Sequence, residues 1–511
     1  MSIIKEEKKE TVSDFTIEHA KKRPISFHMP GHKGRFRTFD NLGYRDFALS
    51  LINQDITEIR GADVLSKPSE VILNVMKNYK ELYGVKDTEL LINGSSVGII
   101  ASILAHVPRG GSIIIDRLSH KSVYSAIRLG GIKPVYTDGS VDSIRDALIK
   151  APEASAVLIT TPDYMGNISN IRRIANAVHT LDKILIVDQA HGAHLKFFDE
   201  AFGARMSAEN QGADIVIEST HKTLFSFTGT GILNICSDKV KTDEIRENLA
   251  MLETTSPSYI LMDSLDINEK IMREHGEKIV KEWRNNIINF YKKASNIEGL
   301  NLPYKEMILG KNYQSDIDIT KIRIDMSGYG LSGVELETRL IQHRIFVEMA
   351  YENEVLLYTG AGNTKEDFDE LIKALKYIAD SEIRVNKNDR FGDKMIYQKS
   401  GELGKTRAYE SGKKVHSPYI TRLEQEEIPS EYEYVSIRYA EGRVLYEPII
   451  PFPPGRPIAC PGEVVSRELI NEIMKLMMAE KKILGINDDA EIKVGKLHHC
   501  EDKVKICDFL G

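Results

Sequence analysis

Six short runs rich in Ile, Val and Leu recur through the first half of the chain: TELLING (88–94), GSIIID (111–116), GIKPVYTD (131–138), ASAVLITT (154–161), DKILIVD (182–188) and GADIVIE (212–218). Branched residues filling so short an apolar run favour a strand buried on both faces. Between the runs lie stretches of helical period such as SVGIIASILAHV and SNIRRIANAVHTL. Strands that alternate with helices at this spacing build βαβ units, so the pattern predicts an α/β domain whose mostly parallel sheet is covered on both faces. In such sheets ligands gather at the carboxyl ends of the strands. The residues that follow each run are therefore where chemistry is to be sought.

Four of these strand ends carry a group of interest. NGSSVG (93–98) follows a strand and opens a helix, so its backbone N–H groups and the hydroxyls of Ser95 and Ser96 can hold a phosphate; a turn closed by an N-cap serine leaves the same trace. His120 lies just beyond GSIIID, where a flat imidazole either stacks on a ring or bonds locally. Asp188 ends a very apolar run, and a carboxylate there needs a partner, either a protonated pyridine nitrogen or the backbone of the next turn. His191 and His194 follow it, which leaves a metal site as a lesser alternative. In STHKTLFSFTGTG (219–231), Lys222 sits directly behind GADIVIE. Burial there lowers the pKa of the ammonium and makes the lysine able to form a Schiff base; otherwise its stem snorkels outward. Each group alone has an ordinary structural explanation, but a phosphate cradle, a ring-stacking histidine, a carboxylate and a lysine in order are the parts that pyridoxal phosphate needs.

The rest of the chain narrows the class. Its 511 residues are enough for about three domains of roughly 150 residues. With 68 Lys and Arg against 75 Asp and Glu and no basic stripe, nucleic acid is not an expected partner. The four scattered cysteines suit a reducing compartment, and the charged start MSIIKEEKKETVSDF has no signal-peptide core, so a cytoplasmic protein without membrane association is expected. A long helical pattern covers 268–297, a polar stretch poor in periodicity follows about residue 380, and a last helix is expected in SRELINEIMKLMMAEKKIL. GYGLSG (328–333) reads as a structural turn and PFPPGRP (451–457) as a rigid connection. The tail HHCEDKVKIC (498–507) lacks a standard zinc spacing, so no metal site is expected.

Several longer motifs carry a resemblance. FHMPGHKG (27–34), DITE (55–58), the Ser-x-His-Lys motif of Ser219 to Lys222, SPSYILMDSLD (256–266) and EGRVLYEPIIPFPPGRPIACPGE (441–463) occur in that order. Together they resemble the Orn/Lys/Arg decarboxylase family of fold-type-I pyridoxal-phosphate enzymes. The resemblance implies an aspartate-aminotransferase-like large domain, a small α+β domain and a C-terminal domain. The corresponding divisions are an arm (1–25), the cofactor-binding domain (26–267), a connecting helix with the small domain (268–380), a polar linker or crossover (381–434) and the C-terminal domain (435–511). Because the first signature starts near residue 27, a short form without an N-terminal wing domain is expected.

By the same resemblance, Lys222 forms the Schiff base, Asp188 contacts the pyridine nitrogen, His120 stacks on the ring, and Ser95, Ser96, Ser219 and His221 hold the phosphate. His191, His221 or the released Lys222 supplies the final proton. The implied reaction is decarboxylation of arginine, lysine or ornithine, with arginine preferred, to a polyamine-type amine and CO2. A homodimer or higher homo-oligomer is expected, and Asp55 and Glu58 are candidates for binding the substrate's cationic side chain. The chain departs from the family at Gln189, where an acidic residue is common, at 61–70 and at 229–231. Through the last two, an aminotransferase or other carbanion chemistry on a basic amino acid stays open, as does a non-catalytic regulatory homologue.

Overall fold

The structure is a computed structural model that describes residues 11–309, 316–381, 426–452, 457–478 and 481–496. These fall into two compact units, one within Met1–Asp116 and Ser125–Val415, the other within Arg117–Tyr124 and His416–Gly511.

The first unit is built on a seven-stranded sheet. After a short strand β1 (Ile25–Phe27), its strands are β2 (Asp87–Leu91), β3 (Ser112–Asp116), β4 (Lys133–Thr137), β5 (Ala156–Thr160), β6 (Ile184–Asp188), β7 (Ile215–Glu218) and β8 (Gly231–Ile235). They lie in the order β2-β8-β7-β6-β5-β3-β4, and all neighbours are parallel except where β8 runs against β2 and β7. All six runs expected from the sequence are strands. The seventh, GILNI, escaped notice because glycine and asparagine interrupt its apolar character. Gly231 is required there: a Cβ would stand 2.3 Å from the Glu218 carbonyl oxygen. Ile113 to Ile115, Val157, Leu158 and Ile186 are fully buried, as a sheet covered on both faces demands. Since β2 is parallel to β7, the carboxyl ends of β2, β3, β6 and β7 open on one edge of the sheet.

A helix spanning Tyr259–Ala294 packs on this unit through Met262, Leu265, Met272, Val280, Trp283, Ile287 and Phe290. It begins before the expected residue 268 because Pro257 and Ser258 stop the preceding chain, and SPSYILMDSLD forms its first turns. The Trp283 indole N–H donates to Thr359 Oγ1 (2.8 Å), whose hydroxyl donates to the Thr320 carbonyl (2.8 Å). These contacts fix the helix to a small antiparallel sheet, β9 (Lys321–Asp325), β11 (Met349–Tyr351) and β12 (Glu354–Tyr358), ordered β11-β12-β9. The intervening β10 (Ile345–Val347) pairs in parallel with β1, tying the segment before the MPGHKG motif to the small domain. The glycine turn at 328–333 is structural, since Ser332 caps the helix Gly333–Gln342 through a capping box with Glu335.

In the second unit β13 (Tyr432–Ser436) pairs with β16 (Glu491–Gly495), and β14 (Ile450–Phe452) with β15 (Lys482–Leu484), around Leu445, Ile449, Val465, Ile473, Ile492 and Val494. The last helix ends at Met478, and the end of the run expected to continue it is the strand β15 instead. Residues 117–124 belong with this unit: the Arg117 guanidinium clasps Glu463 through Nε (2.5 Å) and Nη2 (2.7 Å). Most of the expected linker, and the 498–507 tail, lie outside the described residues.

Three backbone segments meet behind Lys222. Gly31 N–H donates to the His221 carbonyl (2.8 Å), Ala361 N–H to that of Thr223 (2.9 Å), and Gly362 N–H to that of Gly31 (3.0 Å). A Cβ on Gly31 would lie 2.3 Å from the Leu224 carbonyl oxygen and 2.4 Å from the Thr223 carbonyl carbon. Gly31→Ala is therefore expected to force this junction apart, at about 1–3 kcal/mol, read as a lower thermal unfolding midpoint.

Candidate active site at the strand carboxyl ends

Lys222 owes its place to a short turn. β7 ends at Glu218, Ser219 begins the helical turn Thr220–Thr223, and hydroxyl bonds from Ser226 to Thr220 (2.7 Å) and from Thr230 to Ser226 (2.8 Å) lock the chain that returns behind it. The lysine is half-buried, with Nζ 3.0 Å from His191 Nε2. Burial lowers its pKa, opposed by the carboxylates of Asp188 and Glu348 and reinforced by the Lys321 ammonium. Asp188, the last residue of β6, is buried and accepts the Ala190 amide at Oδ1 (3.1 Å). Ser219 Oγ donates to Ser95 Oγ (2.9 Å) at the start of the helix Ser95–His106. The N-cap of that helix is Gly94, at φ 79°, with no side-chain cap, so a capping serine is not what shapes this turn. Ser96 stands beside Ser95 in the first turn, half-buried.

The remaining expected residues are placed as follows. His221 turns Nδ1 to the Thr230 carbonyl (2.5 Å), and burial lowers its pKa to about 4, so it is neutral at physiological pH. His120 lies between β3 and the next helix, where its Nδ1 is 3.0 Å from Ser122 Oγ and 3.3 Å from the Ser122 amide that donates to it. Asp55 and Glu58 are exposed on a loop. Glu58 lines a cavity of about 210 Å³ with Ser66, Pro68, Glu89, Arg246 and Glu253, a set that includes neither Lys222 nor Asp188. His194 is buried against Asp318 (Nε2 to Oδ1 3.0 Å), away from His191, and among the described residues no three His, Cys, Asp or Glu side chains are grouped to hold a metal ion.

Several residues not singled out in the sequence join the site. His191 Nδ1 is 2.9 Å from the Tyr358 hydroxyl, and its ring meets Tyr164 and Tyr358 edge-on, each at 5.4 Å. Tyr164 donates to Glu348 Oε1 (2.7 Å), and the Met29 amide to Glu348 Oε2 (3.1 Å). Lys33, of the PGHKG motif, is buried with Nζ on the carbonyls of His28 (2.6 Å) and Tyr358 (2.9 Å), and burial lowers its pKa to about 7. Two signals were present in the sequence: Tyr164 follows another strand end, and Glu348 is an acid inside the apolar run IFVEMA. Gln189 is also explained. Its Nε2 donates to the buried Glu218 Oε1 (2.6 Å) and the half-buried Glu209 Oε2 (3.1 Å), where an acidic residue would add a third carboxyl. Burial, followed by the neighbouring Glu209, raises the Glu218 pKa well above the usual range.

The family model for the Orn/Lys/Arg decarboxylase major domain matches residues 13–367, and that for the C-terminal domain residues 406–490. The chain belongs to the Orn/Lys/Arg decarboxylase family. It is 30% identical to a Bacillus anthracis arginine decarboxylase over 92% of its own length and 94% of the relative's. It is 32% identical, with the same coverages, to the uncharacterised YaaO of Bacillus subtilis. Among solved structures, the constitutive lysine decarboxylase of E. coli superposes with a TM-score of 0.69 at 19% identity, covering 95% of this chain and 81% of that one. An L-threonine transaldolase from Pseudomonas fluorescens in its internal aldimine state superposes at 0.55, with 16% identity over 73% of this chain and 88% of that one. The fold is that of the fold-type-I enzymes. No helix among the described residues is long and apolar enough to cross a membrane.

Next to the candidate site, Asp318 accepts from Lys321 Nζ (2.9 Å), His194 Nε2 (3.0 Å) and the Thr320 hydroxyl (2.7 Å), all buried. Although burial opposes it, the neighbouring His194 and the Lys321 ammonium hold the carboxyl well below the usual range. The resulting stability is complete above the unfolded carboxylate pKa of about 4 and falls as pH drops through the folded value. Asp318→Asn leaves Lys321 buried without its counter-charge, and a loss of about 3–5 kcal/mol is expected in denaturant unfolding at neutral pH, narrowing as the pH is lowered.

Proposed function

We propose that this decarboxylase removes the α-carboxylate of arginine, with lysine and ornithine as the related substrates to compare, and that it does so with pyridoxal phosphate. The observation that carries the reading is the meeting of Lys222, Asp188 and His191 at adjoining strand ends, with the lysine's pKa lowered by burial. Three curated relatives about 30% identical over nine-tenths of both chains bear the name arginine decarboxylase, which supports the choice of substrate.

The residues present fit the cofactor. A helix N-terminus without a side-chain cap, bordered by Ser95, Ser96 and Ser219, suits its phosphate, since N–H groups and hydroxyls there are free to donate to an anion. Lys222 is its attachment point, and Asp188 would keep the pyridine nitrogen protonated. When bound, pyridoxal phosphate supplies an electron sink for the pair left behind by CO2. His120 would lie against the ring. The final proton is assigned to His191, which touches Lys222, in preference to His221, which burial keeps neutral. Glu348 joins Asp55 and Glu58 as a proposed anionic partner for a cationic substrate. The protein in this reading is a cytoplasmic homodimer that forms a polyamine-type amine.

CO2 release by the purified protein supplied with pyridoxal phosphate and, separately, arginine, lysine and ornithine tests the proposal. Release from arginine in wild type and none in Lys222→Ala is expected, without dependence on a keto acid; a keto-acid requirement would convert the reading to an aminotransferase. Asp188→Asn is expected to lower kcat by about 100-fold or more while moving the thermal midpoint little.

A further inference from the structure

We propose that Tyr358 is a positioning residue that fixes His191 in one tautomer, so that the ring nitrogen facing Lys222 is always the one able to take up a proton. The inference rests on the reading of Lys222 and His191 just given and adds a residue from a different part of the fold.

The argument is one of counting hydrogens. Tyr358 ends β12, fully buried, and its hydroxyl has a single hydrogen. That oxygen lies 2.6 Å from the Tyr164 carbonyl oxygen, which can only accept, so the hydrogen is committed there. His191 Nδ1, 2.9 Å from the same hydroxyl, must then bring a hydrogen of its own. A neutral imidazole has one N–H, so Nε2 carries a lone pair, and Nε2 is the atom 3.0 Å from Lys222 Nζ. In the other tautomer Nδ1 would have no hydrogen to offer Tyr358, whose own is already given to the Tyr164 carbonyl.

With the tautomer fixed, proton exchange needs no movement of the ring. The Lys222 ammonium gives a proton to Nε2: one N–H bond breaks, another forms, and a neutral amine stands beside an imidazolium with the total charge unchanged. The reverse step restores the starting state, and Nδ1–H stays bonded to Tyr358 throughout. The surroundings hold this geometry. Lys321 Nζ, on β9, lies 4.6 Å from the centre of the Tyr358 ring and donates to the His191 carbonyl (3.3 Å). Tyr164, from the loop after β5, packs on both rings and carries Glu348 at its hydroxyl. Asp188 stands on the strand that leads into His191. Burial keeps the Tyr358 hydroxyl neutral by raising its pKa well above the usual range.

Tyr358→Phe removes one oxygen and keeps the ring that packs. The test is long-range ¹H–¹⁵N NMR of the full chain carrying ring-labelled histidine, with and without pyridoxal phosphate, the His191 signals being identified by their loss in His191→Gln. Wild type is expected to show the Nδ1–H form, and Tyr358→Phe a mixture or the opposite form. In the assay kcat falls about 10-fold or more with KM unchanged, and its pH profile moves. Wild-type His191 in the Nε2–H form overturns the proposal, as does an unaltered tautomer in Tyr358→Phe. The wild-type spectrum decides the matter alone if the variant does not fold. A protein that shows the expected tautomers but releases no CO2 would retain the proposal and lose the decarboxylase reading.

Discussion

Three lysines converge on one interior, and keeping their charges apart organises much around them. Lys321 is neutralised by Asp318 within 2.9 Å, Lys33 is held by two carbonyl oxygens, and Lys222 faces the His191 imidazole. Each ammonium raises the cost of the others, as the influence of Lys321 on both Lys222 and Lys33 shows. Lys222 is the one set beside a group that can take its proton.

Such an arrangement depends on supports from two sheets of the first unit. The large parallel sheet delivers Asp188 and the Lys222 turn at neighbouring strand ends, and the small antiparallel sheet delivers Tyr358 and Lys321 from the other side. The MPGHKG segment closes the junction by backbone bonds, with Gly31 so close to residues 223 and 224 that a single methyl group does not fit. Strand ends and a short helical turn hold Asp188, Tyr358 and Lys222, which suits chemistry sensitive to small displacements.

Much of this was legible in the chain. Short branched runs gave six of the seven strands of the large sheet, and the residues behind them gave Lys222, Asp188, Ser95 and Ser219. The failures have local causes. GILNI lacks the apolar density of its neighbours, since glycine is needed at its start to let backbones approach. The end of the final helical run becomes β15, because a partner strand, β14, outweighs a marginal helical preference.

By itself the sequence determined the βαβ layout, the candidate groups at its strand ends and their order along the chain, because burial on two faces and the strand-end rule act over short stretches. Only the tertiary structure decided which groups touch. Tyr358 is 167 residues from His191 and Glu348 is 184 from Tyr164, and no local pattern records such contacts. The tautomer proposed for His191 rests on those long-range distances, since a hydrogen bond is made or lost within a few tenths of an ångström, which residue type and spacing do not specify.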